Sequence, residues 1–84
     1  MTRYHLKLVD KLPEGYGGMN CRAARDLKIK YPYPCSTVIV ARDQPKKKIR
    51  ETYRHEVIES EIMRTTGLPY RKAHRLTEKI EKIV

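Results

Sequence analysis

No glycine or proline interrupts the chain between Pro45 and Gly67, the longest such stretch in the sequence. A run of this kind, rich in Lys, Glu, Arg and Ile, favours an α-helix, and it predicts one from about Pro45 to Thr65. Pro45 fits the first turn and Asp43 can cap it. Thr65-Thr66-Gly67 ends it, because glycine enters the left-handed conformation that closes a helix without steric penalty. Leu68-Pro69 opens a second helix with the apolar stripe Tyr70, Ala73, Leu76, Ile80 and Ile83. So short a link folds the two helices into an antiparallel hairpin.

At about 100° per residue, Lys47, Arg50, Arg54 and Glu61 gather on one side of the first helix, and Ile49, Tyr53, Val57 and Met63 on the other. Ile58 and Ile62 widen the apolar arc. His55 and Glu59 fall in the gap between Ile62 and Met63, and Glu56 falls between Met63 and Ile49. Three ionisable side chains thus interrupt an apolar face, and a buried charge is costly unless it is paired or bound to a metal. His55 and Glu59 stand at i and i+4, one turn apart on one face, a spacing that offers a metal ion two ligands from one rigid element. His74 lies at the edge of the second stripe, where a hairpin brings it toward them. Alternatively, the acids pair with Arg54, Arg71 or Arg75 across the hairpin, and His74 is a boundary residue on a carboxylate.

The first half reads as strand, loop, short helix and strand. Thr2 to Val9 alternates with period two, Tyr4, Leu6 and Leu8 against Arg3, His5 and Lys7, which predicts a strand with one buried face. Asp10 to Asn20 holds Pro13, Gly15, Gly17 and Gly18 and is expected to be a flexible connection. It lacks the Gly-Lys-Ser/Thr ending of a phosphate-binding loop. Asn20 can cap a helix over Cys21 to Lys28, which Tyr31-Pro32-Tyr33-Pro34 stops. The β-branched run from Ser36 to Arg42 predicts a strand buried on both faces. The expected fold is α+β in one domain over residues 1–84: a small sheet of two strands or slightly more, a short helix, and a C-terminal helix hairpin over 45–84. The relative direction of the two strands is open, and the short helix between them permits a right-handed parallel crossover.

Lys and Arg outnumber Asp and Glu by 19 to 10, giving a formal net charge of +9. The excess concentrates in Arg42, Lys46, Lys47, Lys48, Arg50 and Arg54, a patch that suits nucleic acid or an acidic protein. The bland counterpart is a solvated helix start. No apolar run approaches a membrane span and no signal peptide is evident, so a cytoplasmic protein without membrane contact is expected. The charge density is compatible with a thermophile. Cys21 and Cys35 form no C-x-x-C pair and read as buried thiols, with a disulfide as the alternative in a hyperthermophile. Neither Ser36 nor Ser60 lies on the elbow that a serine nucleophile requires.

The order of strand, basic turn, His55-Glu56 helix and following helix resembles the core of the zincin metallopeptidases over roughly residues 36–75. That family carries His-Glu-x-x-His, with two zinc-binding histidines, a glutamate that activates water, and a third ligand from a later helix. The resemblance implies zinc on His55, with Glu56 as general base and His74 as a third ligand. The chain departs from the motif at Glu59, which stands where the second histidine belongs. A carboxylate there lowers the net charge at the metal and its power to acidify water. The composition therefore favours a non-enzymatic binding module for nucleic acid or another polyanion. The alternatives are a zincin-like metal-binding domain, with zinc-dependent hydrolysis if it is an enzyme, and an interaction partner that pairs as a homodimer through Ile58 and Ile62.

Overall fold

The computed structural model describes residues 3–83. It is α+β, with strands β1 (His5–Val9), β2 (Gly18–Met19) and β3 (Thr37–Ala41) and helices α1 (Cys21–Asp26), α2 (Lys46–Thr66) and α3 (Tyr70–Ile83). The strands make one mixed sheet in the order β1-β3-β2. The central strand runs parallel to β1 and antiparallel to β2. β2 lies inside the stretch expected to be a flexible connection. Its two residues pair in register with Val40 and Ile39, and Gln44 ties the adjacent Gly17 carbonyl to the end of β3.

β3 is buried along Val38–Ala41, as a β-branched central strand should be. Ile39 packs with Met19, Ala23 and Ala24, and Tyr31, Tyr33, Leu27 and Ile29 close around that cluster. The buried face expected of β1 is not formed: Leu6 and Leu8 are 44% and 39% exposed. They are in register with Val38 and Val40 and share their face, but α2 lies over β3 and β2 and leaves the outer strand uncovered. Tyr4, beside β1, reaches α2, donating its hydroxyl to Glu61 with the Ser60 hydroxyl 3.2 Å away.

α2 ends at Gly67 in the left-handed conformation (φ 75°), whose N–H closes on the Met63 carbonyl, as the sequence predicts. Its start differs. Pro45 occupies the cap position, no side chain caps the helix, and Asp43 plays no part. α3 begins after Pro69, and Asp26 at the end of α1 accepts the Tyr70 N–H at 2.8 Å. The buried positions of α3 are Ala73 and Thr77, while Leu76 and Ile83 of the expected stripe are exposed. Thr77 is accommodated because its hydroxyl donates to the Ala73 carbonyl. Cys21 and Cys35 are joined in a disulfide, in place of two thiols, with Cα atoms 5.1 Å apart. No helix among the described residues is long and apolar enough to cross a membrane.

Candidate metal centre

The residues that α2 buries completely or nearly so are Glu56, Glu59, Ser60 and Met63, whereas Ile49, Tyr53, Val57, Ile58 and Ile62 are half-buried. The helix thus turns inward the two carboxylates that interrupt its apolar arc and leaves the aliphatic positions of that arc only half-buried. Two features upstream allow this. Gly18 lets α2 approach the sheet, since a Cβ there would stand 2.6 Å from Thr52 Cγ2 and 3.0 Å from Glu56 Cγ. Asn20 is fully buried and serves two elements at once. Its Oδ1 accepts the Ala23 N–H and caps α1, and its Nδ2 donates to Glu56 Oε1 at 2.9 Å and to Glu59 Oε1 at 3.2 Å.

Glu59 presents its other oxygen to both histidines. Oε2 is 3.2 Å from His55 Nε2 and 2.8 Å from His74 Nδ1, and those nitrogens are 3.1 Å from each other. Three donor atoms of metal-ligating type therefore converge from two helices. Metal–ligand distances of ~2.0–2.1 Å around a tetrahedral zinc put neighbouring ligand atoms roughly 3.3 Å apart. The observed triangle needs only a small opening to match.

The outward atoms of His55 and Glu59 are also hydrogen-bonded, and that of His74 has a carboxylate nearby. His55 Nδ1 meets Glu81 Oε1 at 2.8 Å, Glu59 Oε1 meets Asn20, and His74 Nε2 lies 3.8 Å from Glu78 Oε2. Carboxylates behind ligating histidines fix the tautomer and the ring orientation. With its Nδ1 proton directed at Glu81, His55 offers a lone pair at Nε2 once a metal displaces the second ring proton. His55 Nε2, His74 Nδ1 and Glu59 Oε2 cannot all present lone pairs to one another at these separations, so protons or a metal cation have to lie between them. The Glu59 carboxylate foremost, and Glu81 after it, raise His55 to about 9 against the opposing effect of burial.

Glu56 is 7% exposed. Burial, and next the neighbouring Glu59 carboxylate, push it well above the ordinary range, with the Asn20 amide acting in the opposite sense. It lines a cleft of about 540 Å³ that also borders His55, His74, Tyr16 and Tyr70. Burial foremost raises the Tyr70 phenol to about 12, which keeps it a neutral hydrogen-bonding group.

The structure thus brings His55, Glu59 and His74 together, with Glu56 on the same cleft wall. The expected pairing of these acids with Arg54, Arg71 or Arg75 is not made: among the described residues, Glu56 and Glu59 meet only Asn20 and the histidines. The six basic residues are all exposed but divide. Lys46 is the first residue of α2, Lys47, Arg50 and Arg54 share one face of α2 by their spacing, Lys48 lines the cleft, and Arg42 pairs with Asp10 and donates to the Leu8 carbonyl. Ile58 borders a shallow hollow with Arg54 and Ile80. Sequence reasoning missed Asn20, Gly18 and Glu81. Asn20 was legible as a cap, but nothing in the sequence shows that its amide faces two carboxylates 36 and 39 residues away. No protein-family model, curated protein or solved structure matches the chain.

Proposed function

We propose that this is a metal-binding domain of the zinc class, with His55, Glu59 and His74 as ligands and one coordination position facing the cleft. One observation carries the reading. Three donor atoms lie within 3.2 Å of one another, and two of the three side chains, His55 and Glu59, are hydrogen-bonded from behind by Glu81 and Asn20. Mixed imidazole and carboxylate ligands suit zinc and its first-row neighbours, whereas calcium and magnesium prefer all-oxygen sites. A cation also offsets the desolvation of Glu59, whose side chain is fully buried with no Lys or Arg beside it among the described residues.

Three protein ligands with an open position are the arrangement of a site that does chemistry. A bound zinc-class ion there supplies Lewis acidity to whatever occupies the open position. Glu56 is placed to hold or move a proton on the cleft side, with one oxygen fixed by Asn20. Tyr70 is placed to donate a hydrogen bond from α3. Because Glu59 is a carboxylate, the site is better suited to holding the ion than to acidifying water, and metal binding comes before hydrolysis in this reading. Metal-free protein should take up one equivalent of Zn²⁺ in preference to Mg²⁺ or Ca²⁺, and His55→Ala or His74→Ala should abolish uptake. Equal uptake by either variant would remove the site. Glu56→Gln, which keeps the ligands, then asks whether any hydrolysis of small ester or amide substrates depends on that carboxyl.

A second reading rests on the exposed face of Lys47, Arg50 and Arg54, which suits a polyanion backbone. It predicts nucleic-acid binding that weakens steeply with salt. Binding unchanged between low and moderate salt would contradict it.

A further inference from the structure

The cleft in front of the histidines has a charge opposite to that of the protein. The chain carries +9 overall, yet the cleft walls hold Glu51 and Glu56 from α2 and Glu78 and Glu81 from α3 against a single lysine, Lys48. A divalent ion on Glu59 and two neutral imidazoles adds one net positive charge. With the buried Glu56 left out of the count, Glu51, Glu78 and Glu81 still exceed that charge and Lys48 together by one. An anionic molecule drawn to the protein by its general field is therefore repelled from this cleft, and a cation is drawn in.

Two further observations point to an occupant. Glu56 is 7% exposed. One of its oxygens is fixed by Asn20, while the other meets no donor among the described residues and opens on the cleft. Tyr16 and Tyr70 also line the walls, and aromatic faces beside carboxylates form a favourable setting for an ammonium or guanidinium group.

We propose that the cleft takes a ligand bearing a primary ammonium or guanidinium group. The cation lies between Glu51 and Glu78, and a Lewis-basic group at the other end faces the metal position and Glu56. This specificity rests on the metal reading above and adds the charge of the molecule that the site selects. Lys48, at the same wall, opposes the cation and sets an upper limit on the preference.

The test uses full-length protein loaded with zinc, its metal content measured in every sample. Three probes share a hydroxamate head and a chain of equal length: ε-aminocaproic hydroxamate, caproic hydroxamate and adipic monohydroxamate. The ammonium probe should bind roughly fivefold more tightly than the neutral one at low salt, the scale of one partly exposed ion pair. The carboxylate probe should bind more weakly than both. Glu51→Gln should narrow the ratio and Lys48→Gln should widen it; both residues are exposed, so neither change should disturb the fold. Zinc-loaded protein that binds the ammonium and neutral probes equally, or prefers the carboxylate, overturns this inference and leaves the metal site standing. Protein that retains no zinc overturns the metal reading and this inference with it.

Discussion

Asn20 is the side chain whose loss should reach furthest, and two substitutions separate its roles. In Asn20→Ala, α1 loses its cap, a loss of about 1 kcal/mol. Glu56 and Glu59 lose the amide that serves both, at 2.9 and 3.2 Å, and buried hydrogen bonds to charged groups contribute roughly 1.5–3 kcal/mol each. One amide shared by two acceptors does not count twice in full, so the combined loss is expected at about 3–4 kcal/mol. Against a total stability on the order of 4–12 kcal/mol for a chain of 84 residues, that is a large fraction. Asn20→Asp retains an oxygen to accept the Ala23 N–H but sets a third carboxylate against Glu56 and Glu59. Its loss should equal or exceed that of the alanine variant. Urea unfolding of metal-free protein, followed by circular dichroism with comparable m-values, measures both. An Asn20→Asp protein as stable as the wild type would show that Asn20 is only a cap, and the coupling of α1 to the carboxylates would be wrong.

Other outcomes follow from individual contacts. Gly18→Ala drives a methyl group into Thr52 and Glu56 and should destabilise by about 1–3 kcal/mol; an unchanged urea midpoint would mean that α2 does not approach β2 so closely. Reducing the Cys21–Cys35 disulfide, or replacing both cysteines with serine, opens a loop of sequence separation 14 and should remove roughly 3 kcal/mol. Since Cys21 directly follows Asn20, zinc affinity measured by competition with a chromophoric chelator should fall as well. Glu61 is held at about 2, below its ordinary 4.5, by Arg64 first and by the Tyr4 hydroxyl. A depressed carboxylate stabilises the fold fully above pH ~4.5 and loses that contribution as pH falls toward 2. Glu61→Gln should flatten that part of the acid-unfolding profile, and an unaltered profile would dismiss the pairing.

Local signals read well where the backbone alone decides the outcome. Gly67 stops α2, Asn20 caps α1, and the β-branched run at Thr37–Ala41 is the buried strand. The interrupted arc of α2 also singled out His55, Glu56 and Glu59, and the structure gives each of these inward-lying ionisable groups a polar partner. What could not be read depends on how elements lie on one another. Leu6 and Leu8 alternate as a buried face should, yet the offset of α2 leaves them exposed. Leu76 and Ile83 belong to a plausible stripe, but Ala73 and Thr77 are small enough for α3 to pack close, and they set its rotation. Gly18 looked like one more loop breaker, and only the nearness of Thr52 and Glu56 shows that it is a spacer. Glu81 was invisible as a partner of His55 because their distance along the chain is bridged by the hairpin alone.

The most direct measurement is zinc K-edge X-ray absorption on protein loaded with one equivalent of metal. The expected spectrum contains the outer-shell scattering of two imidazoles, from His55 and His74, and a first shell of nitrogen and oxygen at about 2.0–2.1 Å with no sulfur. His74→Ala should lose the metal, and with it the zinc edge. An all-oxygen shell, a single imidazole, or a spectrum unchanged by His74→Ala would contradict the site.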